Sequence, residues 1–350
     1  MTGDVVVDGR FLVVRPTGLH RVAANFVRAA KGAGVRLEVW APGRKPHPLV
    51  DRGIPLPGGR AGGRLWEQAL LPAAARGRLI WSLTNTAPVL APGVVVIHDL
   101  AVRAGPEWFA RSMRAYGQVV LSGARRARRV ITVSNAVRDE LVAAGVAPGR
   151  VSVVSPAVDE QFAPASDERI RQVRDRLGLR REYAVMVGWA DPRKDAATAV
   201  AAHQRVVGEH QHDLVLVGAG HPTFAPVTLP SLPSLRRIGH LGDGDLVPLL
   251  SGASVLLYPS RYEGFGLPPL EALACGTPAV ASDIPALRES TAGLVPLLKP
   301  GDVDEWAAAL LAGLLGQLSC PSPPERRWEA VGRQLADVLA AGSAGSRRRG

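Results

Sequence analysis

Short apolar runs alternate with helical periodicities along most of this 350-residue chain. Runs at 5–7, 36–40, 79–81, 94–97, 130–133 and 151–154 have the length and composition of buried strands. Helical patterns fill 19–31, 66–76, 106–128 and 136–144. A second series comes after them, with strands at 183–187, 213–217, 236–239 and 254–258 and helices at 196–209 and 245–250. Apolar strands separated by helices predict mostly parallel sheets covered on both faces, hence two doubly wound α/β halves. Such halves bind ligands at the carboxyl ends of their strands, so chemistry is expected just past each strand.

The polar stretch 160–167 reads as a linker, and 319–324, rich in Pro and Ser, breaks the chain before a last helix at 325–340. The expected division is a first domain over 1–164, a second over 165–324, a helical segment over 325–342 and a disordered basic tail over 343–350. The hydrophobic content of 47% is ample for two cores. No apolar run is long enough to span a bilayer, and the first residues read as a strand rather than a signal peptide. The two cysteines, Cys275 and Cys320, form neither a disulfide framework nor a metal-ligand spacing. A cytoplasmic protein is expected.

Charge is unevenly placed. Residues 1–160 hold 22 Lys and Arg against 11 Asp and Glu, whereas 161–350 hold 20 of each. The first half either meets an anionic partner, such as a membrane surface or a phosphorylated acceptor, or carries arginine-rich solvated faces. No nucleic-acid motif accompanies the charge, so nucleic acid is not expected. The segment 106–129 combines Trp108, Phe109, Met113 and Tyr116 with six arginines. It is either an amphipathic helix lying on an anionic membrane or a helix with a core face and a solvated face.

The most informative local pattern comes just after the strand at 254–258. Glu263 and Glu271 stand eight residues apart, enclosing Gly264, Phe265, Gly266, Leu267, Pro268 and Pro269. Strand, glycine loop and helix aim backbone N–H groups and a helix N-terminus at one point, which suits a diphosphate. Each carboxylate can accept two hydrogen bonds in one plane, as from the vicinal diol of a ribose or hexose. A second such place lies past strand 183–187, where Gly188 leads to Arg193 and Lys194. Cations there would stabilise a leaving nucleoside diphosphate. In the first half, strand 94–97 ends in His98 and Asp99, and Thr17 and Gly18 open the first helix.

These motifs resemble family 4 retaining glycosyltransferases and their Glu-x7-Glu signature, and the chain is similar to bacterial mannosyl- and rhamnosyl-type transferases. The resemblance implies the GT-B fold: two Rossmann-like domains facing across a cleft, with a C-terminal helix crossing back onto the first. It implies an acceptor-binding first domain and a donor-binding second. Glu271 would hold the nucleotide ribose and Glu263 the donor sugar. Phe265, Gly266 and Leu267 would meet sugar and diphosphate through their backbone. Arg193 and Lys194 match a Pro-Arg-Lys-Asn stretch of the family, with Asp195 in place of Asn and Trp189 where Arg or Thr is commoner. Gly188 belongs to the same donor-binding stretch. His98 would approach the donor sugar, with Asp99 capping the next segment, and Gly18 would face the diphosphate. His20 replaces a second glycine there. Gly239, His240 and Leu241 would border the base, and Ser134 is either a ligand contact or a helix N-cap. No metal and no cofactor is expected. A nucleotide diphosphate sugar, GDP-mannose before a UDP- or dTDP-hexose, would be the donor substrate. The acceptor would be a hydroxyl of a glycan, glycolipid or natural product. An epimerase acting on a UDP-sugar and a non-catalytic sugar-nucleotide-binding subunit are the rival readings.

Two other signals are set aside. Asp243-Gly244-Asp245 precedes a helix and reads as capping rather than a metal motif. Gly218-Ala219-Gly220 lacks the third glycine of a dinucleotide fingerprint.

Overall fold

The structure is a computed structural model that describes residues 5–14, 17–43, 47–54, 63 and 65–344. It divides into two compact units. The first holds the described residues within 1–100, 115–157 and 326–350, and the second holds 101–114 and 158–325. Most of the tail expected at 343–350 lies outside the described residues.

The first unit is built on seven strands: β1 (Val5–Asp8), β2 (Leu37–Pro42), β3 (Arg52–Ile54), β4 (Leu79–Ser82), β5 (Val94–Ile97), β6 (Arg129–Thr132) and β7 (Val151–Val153). Their order is β3-β2-β1-β4-β5-β6-β7, and every pair is parallel. β1 sits centrally, with Val6 opposite both Glu38 and Ile80. Val5, Val6 and Val7 are all buried, as a strand covered on both faces requires. The last helix, Trp328–Ala344, belongs to this unit and packs on the helix Gly18–Gly32. The two backbones approach closely at Gly332, where a Cβ would lie 2.3 Å from the Ala29 carbonyl oxygen. Trp328 meets Phe26 edge-on at 6.1 Å, and Phe26 stacks on His98 at 6.4 Å.

The second unit has six strands: β8 (Tyr183–Val187), β9 (Asp213–Val217), β10 (Leu235–Ile238), β11 (Val255–Tyr258), β12 (Ala279–Ser282) and β13 (Leu297–Leu298). Their order is β10-β9-β8-β11-β12-β13, again all parallel. Trp306 is fully buried beside Leu310, Val255 and Leu257. Burying each large apolar side chain contributes about 1.5–3 kcal/mol. Strand order reverses between β1 and β4 in the first unit and between β8 and β11 in the second, and ligand crevices open at such reversals.

The helix expected at 106–128 is broken. Pro106–Trp108 form a 3-10 turn, Phe109 is extended at φ −121° and ψ 149°, and the helix proper is Arg111–Arg126. Phe109 instead makes an antiparallel bridge with Phe224, which groups 101–114 with the second unit rather than the first. The amphipathic helix drawn from the sequence therefore loses Trp108 and Phe109. The helix exposes Arg111, Arg114, Gln118 and Val119.

One buried polar chain makes a pH prediction. His212 Nδ1 donates to the His210 carbonyl at 2.7 Å, so its Nε2 accepts from His203 Nδ1 at 2.8 Å. The Ser234 hydroxyl then donates to His203 Nε2 at 2.8 Å. Both rings have no exposed surface. Burial pushes His203 down to about 4, helped by His212, and burial also lowers His212. Unfolded histidine titrates near 6.5, so between those values the unfolded chain binds more protons. Stability from this chain is full above about pH 6.5 and is lost as pH falls toward 4, with His203 accounting for about 3 kcal/mol. Urea unfolding at pH 7.5, 6 and 4.5 should show a shallower acid slope in His203→Gln than in the wild type. Equal slopes would contradict it.

Candidate active site

β11 delivers Tyr258 to its carboxyl end, and the chain turns through 259–266 into the helix Leu267–Ala274. Gly266 caps that helix at φ 90° and ψ 65°, a conformation open to glycine. A Cβ there would stand 2.3 Å from Leu287 Cδ2. Pro268 and Pro269 occupy the first turn, where their missing N–H costs nothing. Glu271 is 3% exposed on this helix, and Phe265 and Gly266 are buried in the loop.

β8 supplies the other wall of the crevice. Gly188 turns at φ 83°, and the Asp191 side chain caps the 3-10 turn Pro192–Lys194. Lys194 Nζ lies 2.5 Å from Glu263 Oε1 and 2.5 Å from the Tyr258 hydroxyl, over the Tyr258 ring at 4.7 Å. The Lys194 and Glu263 side chains are only 15% and 9% exposed. Burial pushes the Tyr258 phenol well up, and the charges of Glu263 and then Glu271 push it further. Both signature glutamates therefore act on one buried phenol, beside the start of a helix whose N–H groups favour an anion.

Arg193 is placed differently from Lys194. Asp191 takes its guanidinium side-on, with Nη2 2.6 Å and Nε 3.0 Å from Oδ2. Asp195, in place of the family's Asn, is buried at φ 50° and accepts from Arg261 Nε and Thr198 Oγ1, each at 2.8 Å. It ties the Arg261 segment to the β8 loop. Trp189 donates its indole N–H to Gly218 O at 3.0 Å. Gly239, His240 and Leu241 come after β10, two strands beyond β8. Gly239 and His240 are exposed and Leu241 is half-buried. They share the carboxyl edge of the sheet with the Lys194–Glu263 cluster without forming part of it. Asp243 accepts from Gln161, and Asp245 pairs with Arg176.

His98 and Gly18 belong to the first unit. The His98 backbone N–H donates to Asn85 Oδ1 at 2.6 Å, and its Nε2 donates to Leu83 O at 2.8 Å. Burial lowers its pKa, so the ring is neutral and presents Nδ1 as acceptor. His20 Nδ1 accepts the Thr17 N–H at 3.2 Å, which gives this departure from the family pattern a capping role. A Cβ on Gly18 meets nothing within 4 Å. Ser134 is a helix N-cap, accepting from Val137 N at 3.2 Å.

A network that the sequence did not reveal lies at the β1/β4 reversal. Arg10 pairs with Glu67 at 2.6 Å and donates to Thr86 at 3.0 Å, while Trp66 donates to Asp8 at 2.8 Å. Burial pushes the Glu67 carboxyl up and Arg10 pulls it back. Trp66–Leu70 form a π-helical turn, which brings Trp66 and Glu67 inward together.

A family model described as "Glycosyltransferase Family 4" matches residues 16–162, and one described as "Glycosyl transferases group 1" matches 181–315. The chain is 30% identical over 237 residues to O-antigen chain mannosyltransferase B of Escherichia coli, covering 64% of this chain and 62% of that protein. It is 32% identical over 265 residues to MMP alpha-(1->4)-mannosyltransferase of Mycolicibacterium hassiacum, covering 70% and 61%. The match thus spans less than two thirds of these curated relatives. Among solved structures, Anabaena HepE in complex with UDP and glucose superposes with a TM-score of 0.67 over 99% of both chains at 17% identity. The chain belongs to glycosyltransferase family 4, with the GT-B fold, and is similar to bacterial mannosyltransferases.

Proposed function

We propose that the protein transfers a hexose, with retention at the anomeric carbon and without a metal ion, from a nucleotide diphosphate sugar to a hydroxyl acceptor. The observation that carries this reading is the Lys194–Tyr258–Glu263 cluster at the β8/β11 reversal, beside the N-terminus of helix Leu267–Ala274. In this reading the donor diphosphate faces that N-terminus, and Lys194 exchanges Glu263 for a phosphate oxygen. Glu263 is then released toward the sugar hydroxyls, and Glu271 holds the ribose. The bond from the anomeric carbon to the phosphate oxygen breaks while the acceptor oxygen bonds the same face. The acceptor proton passes to the departing phosphate, whose growing charge the cations offset.

The names of the two curated relatives favour mannose, hence GDP-mannose. HepE, solved with UDP and glucose, supports a UDP-hexose as the second reading. The acceptor is a glycan, glycolipid or natural product. No helix among the described residues is long and apolar enough to cross a membrane. The proposed location is the cytoplasm, with the basic first 160 residues drawn to an anionic membrane face that presents the acceptor.

A thermal-shift screen of GDP, UDP, dTDP and ADP and their hexose conjugates, with EDTA and then with Mg²⁺, tests the donor class. A ligand at about 100 times its dissociation constant adds about 2.7 kcal/mol. One base should raise Tm in EDTA. A shift that requires Mg²⁺ would overturn the metal-independent reading, and no shift with any of them would overturn the donor site.

A further inference from the structure

The segment that departs from its expected helix sits against the donor loop. Ala110 N–H donates to Thr223 O, and Ala225 N–H to Trp108 O, both at 2.9 Å. These bonds fix Phe109 opposite Phe224, with ring centroids 5.5 Å apart. The Arg193 guanidinium carbon lies 5.8 Å from the Phe109 centroid and 5.5 Å from the Phe224 centroid. Aromatic rings thus hold the guanidinium while Asp191 chelates it. The neighbouring Trp108 meets Tyr262 at 6.3 Å, and Tyr262 directly precedes Glu263. Phe109 is 6% exposed, and the Arg193 side chain 14%.

We propose that Phe109 and Phe224 are positioning residues of the donor site, which hold the Arg193 guanidinium for the donor diphosphate. The inference rests on the donor-site reading above. An arginine side chain is among the costliest to immobilise, and a cation held against rings before the ligand arrives loses less on binding. The attraction is largest where water is scarce, as at this half-buried site. Residues from the first half of the sequence are thereby part of the nucleotide site, and the bridge explains why the helix periodicity of 106–128 is broken. Tyr262, braced by Trp108, links the same segment to the loop that carries Glu263.

Calorimetric titration of GDP, UDP, dTDP and ADP into the full chain tests this through a double-mutant cycle. Phe109→Leu keeps the bulk and the backbone bridge but removes the ring. It should weaken the preferred nucleoside diphosphate roughly three- to thirtyfold, and Phe109→Tyr should restore it. In an Arg193→Met background, Phe109→Leu should change affinity by less than about twofold. A merely structural phenylalanine would weaken binding equally in both backgrounds, and that result overturns the proposal. Binding by the wild type that is lost in Arg193→Met but kept in Phe109→Leu would leave the donor site standing and refute the clamp. No binding by the wild type would overturn both.

Discussion

Lys194→Met is expected to lower kcat/KM by about 10³-fold, at the upper end of what removing one preorganised charge donor costs. The same change should destabilise the fold by about 3–5 kcal/mol, because it strands the nearly buried carboxylate of Glu263. The two effects have different cures. In the double variant Lys194→Met/Glu263→Gln no charge is stranded, so most of the urea midpoint should return while turnover stays low. Recovery of both together would show that Lys194 serves the fold alone. Recovery of neither would show that its partner is some group other than Glu263. The Tyr258 hydroxyl loses its Lys194 donor in both variants, so that loss cancels in the comparison.

Gly266→Ala carries the second large effect. The residue sits at φ 90°, and its new methyl would collide with Leu287 Cδ2. Left-handed strain and overpacking each cost about 1–3 kcal/mol. Strain at this φ shifts the backbone that faces the proposed diphosphate, and a shift of about 1 Å at such a site costs about 10²-fold in rate. Gly239→Ala is the control, since a Cβ there meets nothing within 4 Å. It should leave stability within about 0.5 kcal/mol of the wild type. Equal unfolding midpoints for the two variants, measured with kcat/KM, would refute the account of Gly266.

The parallel sheets and the strand ends were legible because their apolar runs are short, β-branched and separated by helical periods. β5, β8 and β9 begin and end where the sequence pattern puts them. The glycine loop was legible for a different reason: its residues answer to backbone conformation, and Gly266 does adopt positive φ. Two of the elements that escaped lack an apolar signal. β3 reads Arg52-Gly53-Ile54, an edge strand with little apolar content. The helix Asp167–Leu177 buries only Val173 and is otherwise charged and solvated, so its start was taken into a linker. The break at Phe109 is tertiary in origin, since it comes from pairing with Phe224, distant in sequence. The Arg10–Glu67–Thr86 network is hidden likewise, because its members are scattered over three segments and meet only at the strand-order reversal. At the candidate site, the pairing of Lys194 with Glu263 and the separate embrace of Arg193 by Asp191 could not be read from adjacency in the chain.

The most direct test of the central claim is a calorimetric titration, in EDTA, of GDP and UDP into the wild type and Glu271→Gln. Glu271 is buried and near-isosteric with Gln, so the fold is kept while the charged acceptor for a ribose diol is removed. The account predicts that one nucleotide binds the wild type without metal and binds Glu271→Gln at least about tenfold more weakly. Equal affinity in the two proteins, or no binding to the wild type, would contradict a nucleotide-sugar site at the two glutamates.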